Sequence, residues 1–308
     1  MIGAGKWSHA YIRTLASIEG MNLVRIARKR NERDDLPPNE AEITTDWKAV
    51  AMARDLDGVI IATPPVTHGV MAIEAMKCGL PVLVEKPVTL DIREARAVLS
   101  VAESEKAIIR VDHTHLYSAA YRKMKEIAPS LGSPLKISSY AGKAVIRREL
   151  SVLWDWGPHD IAMCLDLLGE MPKRREGRVV ERKHLAEGTG ETIEISLTFP
   201  GSGSDATIRL STLVADRVRR FMIHGRGGLL LYDDLAPHKL IRPGSFHDIK
   251  SDPSIGDPVA IDGEPPLAVA VKEFGQAIRS ADRDLSSLRL GVSVVEVLHD
   301  CELQLSSL

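Results

Sequence analysis

Cysteine, long apolar runs and an excess of charge of one sign are all scarce in this chain of 308 residues. Its three cysteines, Cys78, Cys164 and Cys301, are far apart and form no Cys-x-x-Cys pair, so we expect reduced thiols in a cytoplasmic protein and no zinc site. No run approaches the roughly 20 apolar residues of a membrane span, and the N-terminus lacks the pattern of a signal peptide. The net charge of −2 with interspersed signs gives no charge-driven affinity for nucleic acid or membranes.

The order of strand and helix patterns changes once along the chain. Up to about residue 115 strands alternate with helices, which is typical of a parallel α/β sheet. Beyond it, alternating strands are separated by glycine-rich turns, which indicates a largely antiparallel open sheet with helices on one face. At roughly 150 residues per domain, the length also suggests two domains. We therefore predict an α/β domain at 1–116 and an α+β domain at 117–308.

The first domain is organised around two short apolar runs, Gly58–Ala62 and Leu80–Val84. Both are rich in Val and Ile and too short for an ordinary helix, so they predict buried parallel strands. The stretch between them, Thr67–Cys78, has the apolar spacing of a helix that packs on a sheet. Lys86 comes directly after the second strand. Because ligands lie beyond the carboxyl ends of parallel strands, we expect Lys86 at a ligand crevice.

A glycine motif begins the chain, with Gly3 and Gly5 followed by the small Ser8. This spacing is typical of the dinucleotide fingerprint of Rossmann-type domains, in which the following helix points its N-terminus at phosphate. A strand normally precedes the fingerprint, but here only Met1 and Ile2 do. We therefore expect a first strand that is truncated or formed in some other way.

Three cations, Arg28, Lys29 and Arg30, follow the second predicted strand, and the first acidic residue after them is Glu32. An acid at this strand end holds the ribose 2′-hydroxyl of NAD, whereas an arginine accommodates the 2′-phosphate of NADP. A solvated charge run is the alternative interpretation. The position favours phosphate contact, and we predict NADP over NAD.

Asp155 and His159 are four residues apart in Val152–Leu168, a predicted helix, so they share one face. We expect the pair in the first turn, where Gly157 and Pro158 suit a helix start. Asp155 could instead cap the helix while His159 packs. A metal half-site is disfavoured because the sequence has no second pair at ligand spacing.

Two neighbouring pairs leave alternatives open. Arg147 and Arg148 precede the helix and either meet an anionic substrate or lie in solvent. Trp154 and Trp156 flank Asp155 and either pack on a sugar face or lie in the core.

Four motifs together resemble the Gfo/Idh/MocA family of glucose-fructose oxidoreductases and inositol dehydrogenases. They are G-A-G-K-W at 3–7, D-G-V-I-I-A-T-P-P-x-x-H at 57–68, G-L-P-V-L-V-E-K-P at 79–87 and D-W-G-P-H-D at 155–160. The resemblance covers nearly the whole chain. It implies a two-domain NAD(P)-dependent dehydrogenase that acts on sugars or polyols, with a Rossmann domain at 1–116 and a substrate and oligomerisation domain at 117–308.

The resemblance also implies roles for individual residues. Lys86 matches the catalytic lysine, Glu85 orders this lysine and the ribose, and Asp155 with His159 matches the substrate-side pair. Taken together, the motifs assign these residues to cofactor binding: Gly3, Gly5, Lys6, Trp7, Arg28, Thr63, Pro64, His68, Glu85 and Lys86. The loop at 113–117 lacks the Arg-Phe pair that is often found in the family.

The resulting prediction is hydride transfer between nicotinamide and a hydroxyl or carbonyl carbon. Either His159 or Lys86 is the base. The alternatives are an NAD-dependent glycosidase of the same family and a non-catalytic cofactor-sensing regulator. The regulator is disfavoured because both side chains are present. We expect a homodimer or homotetramer formed through the open sheet face around Thr192–Leu213.

Overall fold

The computed structural model describes residues 1–29, 36–37, 40–146, 150–186, 188–245, 247 and 255–305. It divides into two compact units. The first comprises Met1–Thr114 with Glu264–Val295, and the second comprises His115–Gly263 with Glu296–Leu308. The chain thus crosses between the units close to the expected boundary at residue 116. The stretch Glu264–Val295, by contrast, falls with the first unit rather than within a 117–308 domain.

The helices follow the apolar spacing of the sequence closely. In chain order they are α1 (Lys6–Ala16), α2 (Trp47–Ala51), α3 (His68–Lys77), α4 (Ile92–Ser104), α5 (Ala119–Ile127), α6 (Val152–Leu168), α7 (Pro266–Arg279) and α8 (Ser286–Leu305). None of the helices in the described ranges is long and apolar enough to cross a membrane.

The strands include the two predicted at Gly58–Ala62 and Leu80–Val84, with small shifts at their ends. In chain order they are β1 (Arg25–Ala27), β2 (Glu42–Thr44), β3 (Val59–Ile61), β4 (Val82–Glu85), β5 (Ile109–Asp112), β6 (Lys136–Gly142), β7 (Arg174–Leu185), β8 (Gly188–Phe199), β9 (Ser204–Ser211), β10 (Val218–Gly225), β11 (Gly228–Asp233), β12 (Leu240–Arg242) and β13 (Asp257–Pro258).

The first strand of the Rossmann sheet is represented by Ile2. This residue forms parallel bridges to Ala27 of β1 and to Ile61 of β3. Its N–H donates to the carbonyl of Ile60 at 2.8 Å, and its own carbonyl accepts from the N–H of Ala62 at 2.8 Å. Ile2 therefore joins β1–β2 to β3–β4–β5 as one parallel arrangement. The strand that the glycine motif requires is thus formed by very few residues, on the central line of the sheet.

The core of the first unit lies between α1, the sheet and α7. Its buried members include Tyr11, Ile12, Leu15, Ile26, Leu83, Leu267, Val271 and Phe274. Fully burying one such aliphatic or aromatic side chain stabilises a fold by about 1.5–3 kcal/mol. This packing fixes α1 on the sheet, and with it the glycine turn that precedes the helix.

The second unit contains an eight-stranded sheet in the order β13-β12-β11-β10-β6-β9-β8-β7. Every neighbouring pair is antiparallel except β6 and β9, which are parallel. In β9 the side chains alternate, with Ala206, Ile208 and Leu210 buried and Asp205, Thr207 and Arg209 exposed. Helix α6 packs on β6, β8 and β9. The predicted fold class, a Rossmann domain plus a largely antiparallel α+β domain, is confirmed.

Candidate active site

A tight turn between Ile2 and α1 requires glycine at its first position. Gly3 has a φ of +111°, and a Cβ there would lie 2.3 Å from the carbonyl oxygen of Ala62. The small Ser8 is fully buried, and its hydroxyl donates to the same carbonyl at 3.2 Å. Both residues let α1 approach β3 closely, which is the geometric role that the fingerprint assigns to them.

The N-terminus of α1 has the features of an anion site. Gly5 is the N-cap and makes no side-chain capping bond, and the first turn contains no acidic residue. A Cβ at Gly5 would meet nothing within 4 Å, so the backbone faces open space. A helix N-terminus carries about half a positive charge. These residues therefore fit a diphosphate, whose oxygens can approach the exposed N–H groups. The side chain of Lys6 lies outside the described part of the chain.

Glu85, the last residue of β4, lies under the start of α1. Its carboxylate is 7% exposed and accepts from the Nε1–H of Trp7, from the Tyr11 hydroxyl at 3.0 Å and from the Lys86 backbone N–H at 3.1 Å. The indole of Trp7 is half exposed. The predicted cofactor residues Trp7 and Glu85 are thus in direct contact.

A second buried carboxylate, Asp112, ends the neighbouring strand. Asp112 is the register partner of Glu85, and its Oδ2 lies 2.5 Å from the Tyr11 hydroxyl. Burial raises the pKa of Asp112 to about 6. Burial, followed by repulsion from Asp112, raises the pKa of Glu85 well above its usual range. The carboxyl edge of the sheet therefore holds two acids that resist ionisation together.

Lys86 lies beside these acids as their cationic neighbour. It is half-buried and follows β4 directly, and its positive charge favours the ionised forms of both Glu85 and Asp112. The same charge lowers the pKa of His68, for which burial is the larger cause. The strand-end position predicted for Lys86 is the one that it occupies.

His68 joins the loops that follow β3 and β4. Its ring is fully buried, with Nδ1 2.8 Å from the carbonyl oxygen of Pro87 and Nε2 2.8 Å from that of Thr63. Thr63 also accepts a hydroxyl bond from Thr67 at 2.7 Å, and Pro64 is exposed. His68 thus fixes the crevice loops. Its predicted contact with nicotinamide stays a prediction, as do those of Thr63 and Pro64.

The basic segment after β1 is described only in part. Arg28 is half-buried, and its backbone N–H donates to the carbonyl of Thr44 at 2.9 Å. Lys29 is exposed. Arg30 and Glu32, on which the prediction also drew, lie outside the described residues.

Helix α6 begins one turn earlier than Gly157 and Pro158 suggested. Ser151 is the N-cap, and its hydroxyl accepts from the N–H of Trp154 at 3.5 Å. Gly157 and Pro158 therefore lie inside the helix, and the prediction that they start it is wrong. Asp155 is in the first turn without being the cap. The helix begins before Gly157 because the Ser151 side chain supplies the capping oxygen. Asp155 and His159 remain one turn apart on the same helix.

His115 contacts His159 edge to face. Their ring centroids are 4.9 Å apart and their planes meet at 88°. His115 Nδ1 lies 3.0 Å from the Tyr232 hydroxyl, and His115 Nε2 accepts from the Nε–H of Arg219 at 3.2 Å. Arginine can only donate. The bond from Arg219 therefore leaves Nε2 without a proton, and a neutral His115 carries its proton on Nδ1.

The hydrogen bonds that fix the tautomer of His115 continue through Tyr232 to Asp234. The Nδ1–H of His115 donates to the oxygen of Tyr232, whose hydroxyl in turn donates to Asp234 at 3.2 Å. Burial, and then the charge of Asp234, raises the pKa of Tyr232, which keeps this hydroxyl protonated. The chain of donors runs from Arg219 to Asp234 and holds the ring next to His159 in one tautomer.

The remaining sequence-predicted residues fall into three groups. Trp154 lies in the core, with its Nε1–H donating to Glu302 at 2.7 Å. Trp156 is half-buried, and the Arg219 guanidinium lies 6.0 Å from its ring centroid. Arg147 and Arg148 lie outside the described residues.

Sequence reasoning assigned no role to Tyr11, Asp112, His115, Arg219 or Tyr232. Asp112 follows an apolar run in the same way as Lys86 does, so the strand-end rule could have indicated it. The other four reach their positions through long-range packing within their own units, which leaves no local pattern in the sequence.

The glycine turn, the uncapped helix N-terminus and the polar strand ends define a dinucleotide-binding Rossmann domain. A family model described as the oxidoreductase family with an NAD-binding Rossmann fold matches residues 1–113, and one for the GFO/IDH/MocA C-terminal domain matches residues 146–231. The chain belongs to the Gfo/Idh/MocA oxidoreductase family.

Individual relatives agree with this assignment. A candidate oxidoreductase from Magnetospirillum magnetotacticum MS-1 has a crystal structure that is 36% identical, covers 97% of both chains and superposes with a TM-score of 0.87. Inositol 2-dehydrogenase of Rhodococcus erythropolis is 26% identical over 68% of this chain. UDP-N-acetylglucosamine 3-dehydrogenase of Acidithiobacillus ferrooxidans is 28% identical over 40% of this chain. The matches span 63% and 39% of these two relatives, respectively.

Proposed function

We propose that this protein is an NAD(P)-dependent dehydrogenase or reductase of a sugar, sugar derivative or polyol. It transfers a hydride between nicotinamide and a carbon that carries a hydroxyl or carbonyl group. The observation that carries the proposal is the position of Lys86 at the end of β4, on the same sheet edge as the glycine turn and the open α1 N-terminus.

The first unit would hold the cofactor through its backbone and its strand ends. The N–H groups at the start of α1 would bind the diphosphate, and the open space around Gly5 leaves room for it. Glu85 and Lys86, at the end of β4, are proposed to meet the ribose and the nicotinamide end of the cofactor. When bound, the cofactor supplies the hydride acceptor or donor.

Proton handling is assigned to Lys86 and His159. Oxidation of a hydroxyl requires a group that takes its proton, and reduction requires a group that returns it. Imidazole titrates near neutral pH and suits this exchange. A lysine ammonium stabilises the developing oxyanion, or exchanges the proton itself. The His115 ring holds His159 in place, and Asp155 orients it from the preceding turn.

We propose NADP as the preferred cofactor. Arg28 directly follows β1 and is half-buried, and an arginine at this strand end is the residue type that accommodates a 2′-phosphate. A charge-assisted hydrogen bond contributes about 1.5–3 kcal/mol. That amounts to roughly a ten- to hundred-fold preference.

The substrate class follows from the relatives. One is named for an inositol and the other for a UDP-linked amino sugar. Both names describe compounds rich in secondary hydroxyls, which is the group that hydride chemistry of this kind oxidises. We therefore propose cyclitols, sugars and nucleotide sugars as the compounds to test.

A panel of these compounds with NADP and NAD, followed by cofactor absorbance, tests the function. Turnover with a matching absorbance change supports a dehydrogenase. Release of free sugar with no net change in cofactor absorbance would instead establish the glycosidase. Cofactor binding without turnover of any compound would favour the cofactor-sensing regulator.

We also propose a cytoplasmic homo-oligomer. The eight-stranded sheet has α6 on one face, and its other face exposes Tyr140, Thr207 and Arg209. A second copy would cover this face. Light scattering that reports a single-chain mass at micromolar concentration would contradict the proposal. The free thiols Cys78, Cys164 and Cys301 suit a reducing compartment, and cell fractionation tests the location.

A further inference from the structure

One phenol hydroxyl lies between two buried carboxyl groups at the edge of the Rossmann sheet. The Tyr11 oxygen is 3.0 Å from Glu85 Oε1 and 2.5 Å from Asp112 Oδ2. Tyr11 is fully buried, Asp112 is fully buried and Glu85 is 7% exposed. The two acids are paired in register on neighbouring strands.

The number of protons in this arrangement can be counted. The Tyr11 hydroxyl has one proton and can donate it to one carboxylate only. If both acids were ionised, the second carboxylate oxygen would face the lone pairs of the phenol oxygen with no proton between them. Both contacts are satisfied when one acid keeps its proton and donates it to the Tyr11 oxygen. The geometry therefore favours one shared proton in the group Glu85–Tyr11–Asp112, which we call the carboxyl triad.

The surroundings of the triad support this count. From α1, Trp7 donates a neutral N–H to Glu85, which stabilises either protonation state without adding charge. From the loop after β4, Lys86 supplies the cation that acts on both acids. His68 of α3 is kept neutral by burial, which lowers its pKa. One cation thus faces two acids, and the second negative charge has no matching positive charge among the described groups that act on the triad.

The pKa shifts of the three groups also favour one shared proton. Burial, followed by Asp112 and then Glu85, raises the pKa of Tyr11 well above its usual range, so the phenol keeps its proton. Burial raises the pKa of Asp112 to about 6 and that of Glu85 well above its usual range. Two interacting acids of this kind titrate as a pair.

We propose that the carboxyl triad holds one shared proton at neutral pH and releases it when the oxidised nicotinamide cofactor binds at this sheet edge. The inference rests on the proposed function. The oxidised nicotinamide ring carries a positive charge and the reduced ring does not. A nearby cation favours the doubly ionised pair. In the release, the O–H bond of one carboxyl breaks, its proton passes to solvent, and no electron moves.

Linkage makes the effect reciprocal. If binding expels a proton, a rise in pH through the titration of the triad strengthens binding of the oxidised cofactor. Binding of the reduced cofactor lacks this contribution from the triad over the same range. The triad therefore makes the preference between the two cofactor forms depend on pH.

Isothermal titration calorimetry in two buffers of different ionisation enthalpy measures the proton exchange directly. At pH 7 we expect the wild type to release a measurable fraction of a proton on binding NADP⁺ and less on binding NADPH. The 2′-phosphate, which itself titrates near pH 6, contributes equally to both measurements. Asp112→Asn and Glu85→Gln are expected to remove the difference. The control Glu94→Gln removes another carboxyl with a raised pKa in the same unit, and it should preserve the difference in proton release between NADP⁺ and NADPH.

Unfolding without cofactor tests the shared proton independently of binding. A carboxyl whose pKa is raised in the folded state binds more protons folded than unfolded, so stability falls as pH rises from about 4 through about 6. The contribution of the triad is the difference between two proteins: over this range, denaturant titrations should show the wild type losing more stability than Asp112→Asn.

The outcomes separate the two proposals. Binding of both cofactor forms with equal proton release in the wild type would overturn the triad proposal and leave the enzyme proposal intact. The same is true if the wild type and Asp112→Asn change in stability equally between pH 4 and 7. Failure to bind either cofactor would contradict both proposals.

Discussion

The Arg219 guanidinium and the Asp160 carboxylate form an ion pair at 2.7 Å, and both side chains are at least 97% buried. The other Asp160 oxygen accepts from the Ser139 hydroxyl. Arg219 also donates to His115. The pair therefore joins the sheet to α6 immediately beside His159 and fixes the ring that His159 contacts.

Removing Arg219 should destabilise the second unit strongly. Arg219→Gln leaves the Asp160 charge buried and uncompensated, a change that costs about 3–5 kcal/mol in comparable pairs. The control is Arg182→Gln, which breaks a half-exposed pair with Glu191 and should cost under about 1 kcal/mol. Urea unfolding of both variants measures the difference. Equal losses of unfolding free energy in the two variants would show that the buried pair stabilises the fold no more than the half-exposed pair does.

His115 is expected to position His159 through its ring. An edge-to-face aromatic contact contributes about 0.5–1.5 kcal/mol, so His115→Ala should lower kcat by roughly two- to ten-fold. His115→Phe keeps a ring and should recover most of this loss. If the phenylalanine variant is as slow as the alanine variant, the hydrogen bonds to Arg219 and Tyr232 matter more than the ring.

Replacing Gly3 by alanine should reduce stability, whereas replacing Gly5 by alanine should reduce cofactor affinity. Gly3→Ala places a Cβ 2.3 Å from a carbonyl oxygen at a φ of +111°, so we expect a loss of stability above about 2 kcal/mol. Gly5→Ala meets no atom within 4 Å and should fold normally. Its new methyl group fills the space proposed for the diphosphate, and we expect cofactor affinity to fall by at least about ten-fold. Thermal unfolding and cofactor titration distinguish the two, and unchanged affinity in Gly5→Ala would contradict the diphosphate site.

Arg28→Ala should shift the cofactor preference toward NAD. Loss of one charge-assisted bond is expected to reduce the ratio of NADP to NAD affinity by about ten- to a hundred-fold. Lys29→Ala, at the exposed neighbouring position, is the matched control and should leave the ratio within about two-fold. An unchanged ratio in Arg28→Ala would remove Arg28 from the cofactor site.

Much of this architecture could be predicted from local patterns in the sequence. The buried strands β3 and β4 were predictable because short runs of Val and Ile suit only a buried strand. Lys86 was predictable because its place after β4 follows from chain order alone. The bounds of α6, Val152–Leu168, also agree with its apolar pattern.

Other features depend on contacts between residues that are far apart in sequence. Tyr11 and Asp112 are 101 positions apart, and only the packing of α1 on the sheet brings them together. The parallel pairing of β6 and β9 is likewise set by the crossover between them. Ile2 acts as a strand because two strands already flank it. No periodicity in the sequence reports such relationships.

Replacement of His159, the proposed proton carrier, should leave cofactor binding intact while slowing the chemical step. General acid–base groups contribute about 10²–10⁴-fold to turnover, and we expect His159→Ala to lose a factor of that size in kcat. Cofactor affinity should be unchanged, because the cofactor residues lie in the first unit. Turnover close to that of the wild type would exclude His159 as a proton carrier.

The most direct measurement is cofactor absorbance during turnover of a sugar or polyol by the wild type and by Lys86→Ala, with Lys77→Ala as an exposed-lysine control. The account predicts one cofactor oxidised or reduced for each substrate converted, a loss of about 10²–10⁴-fold in Lys86→Ala, and no loss in the control. Conversion of substrate without any change in absorbance, or a Lys86→Ala variant as fast as the control, would contradict it.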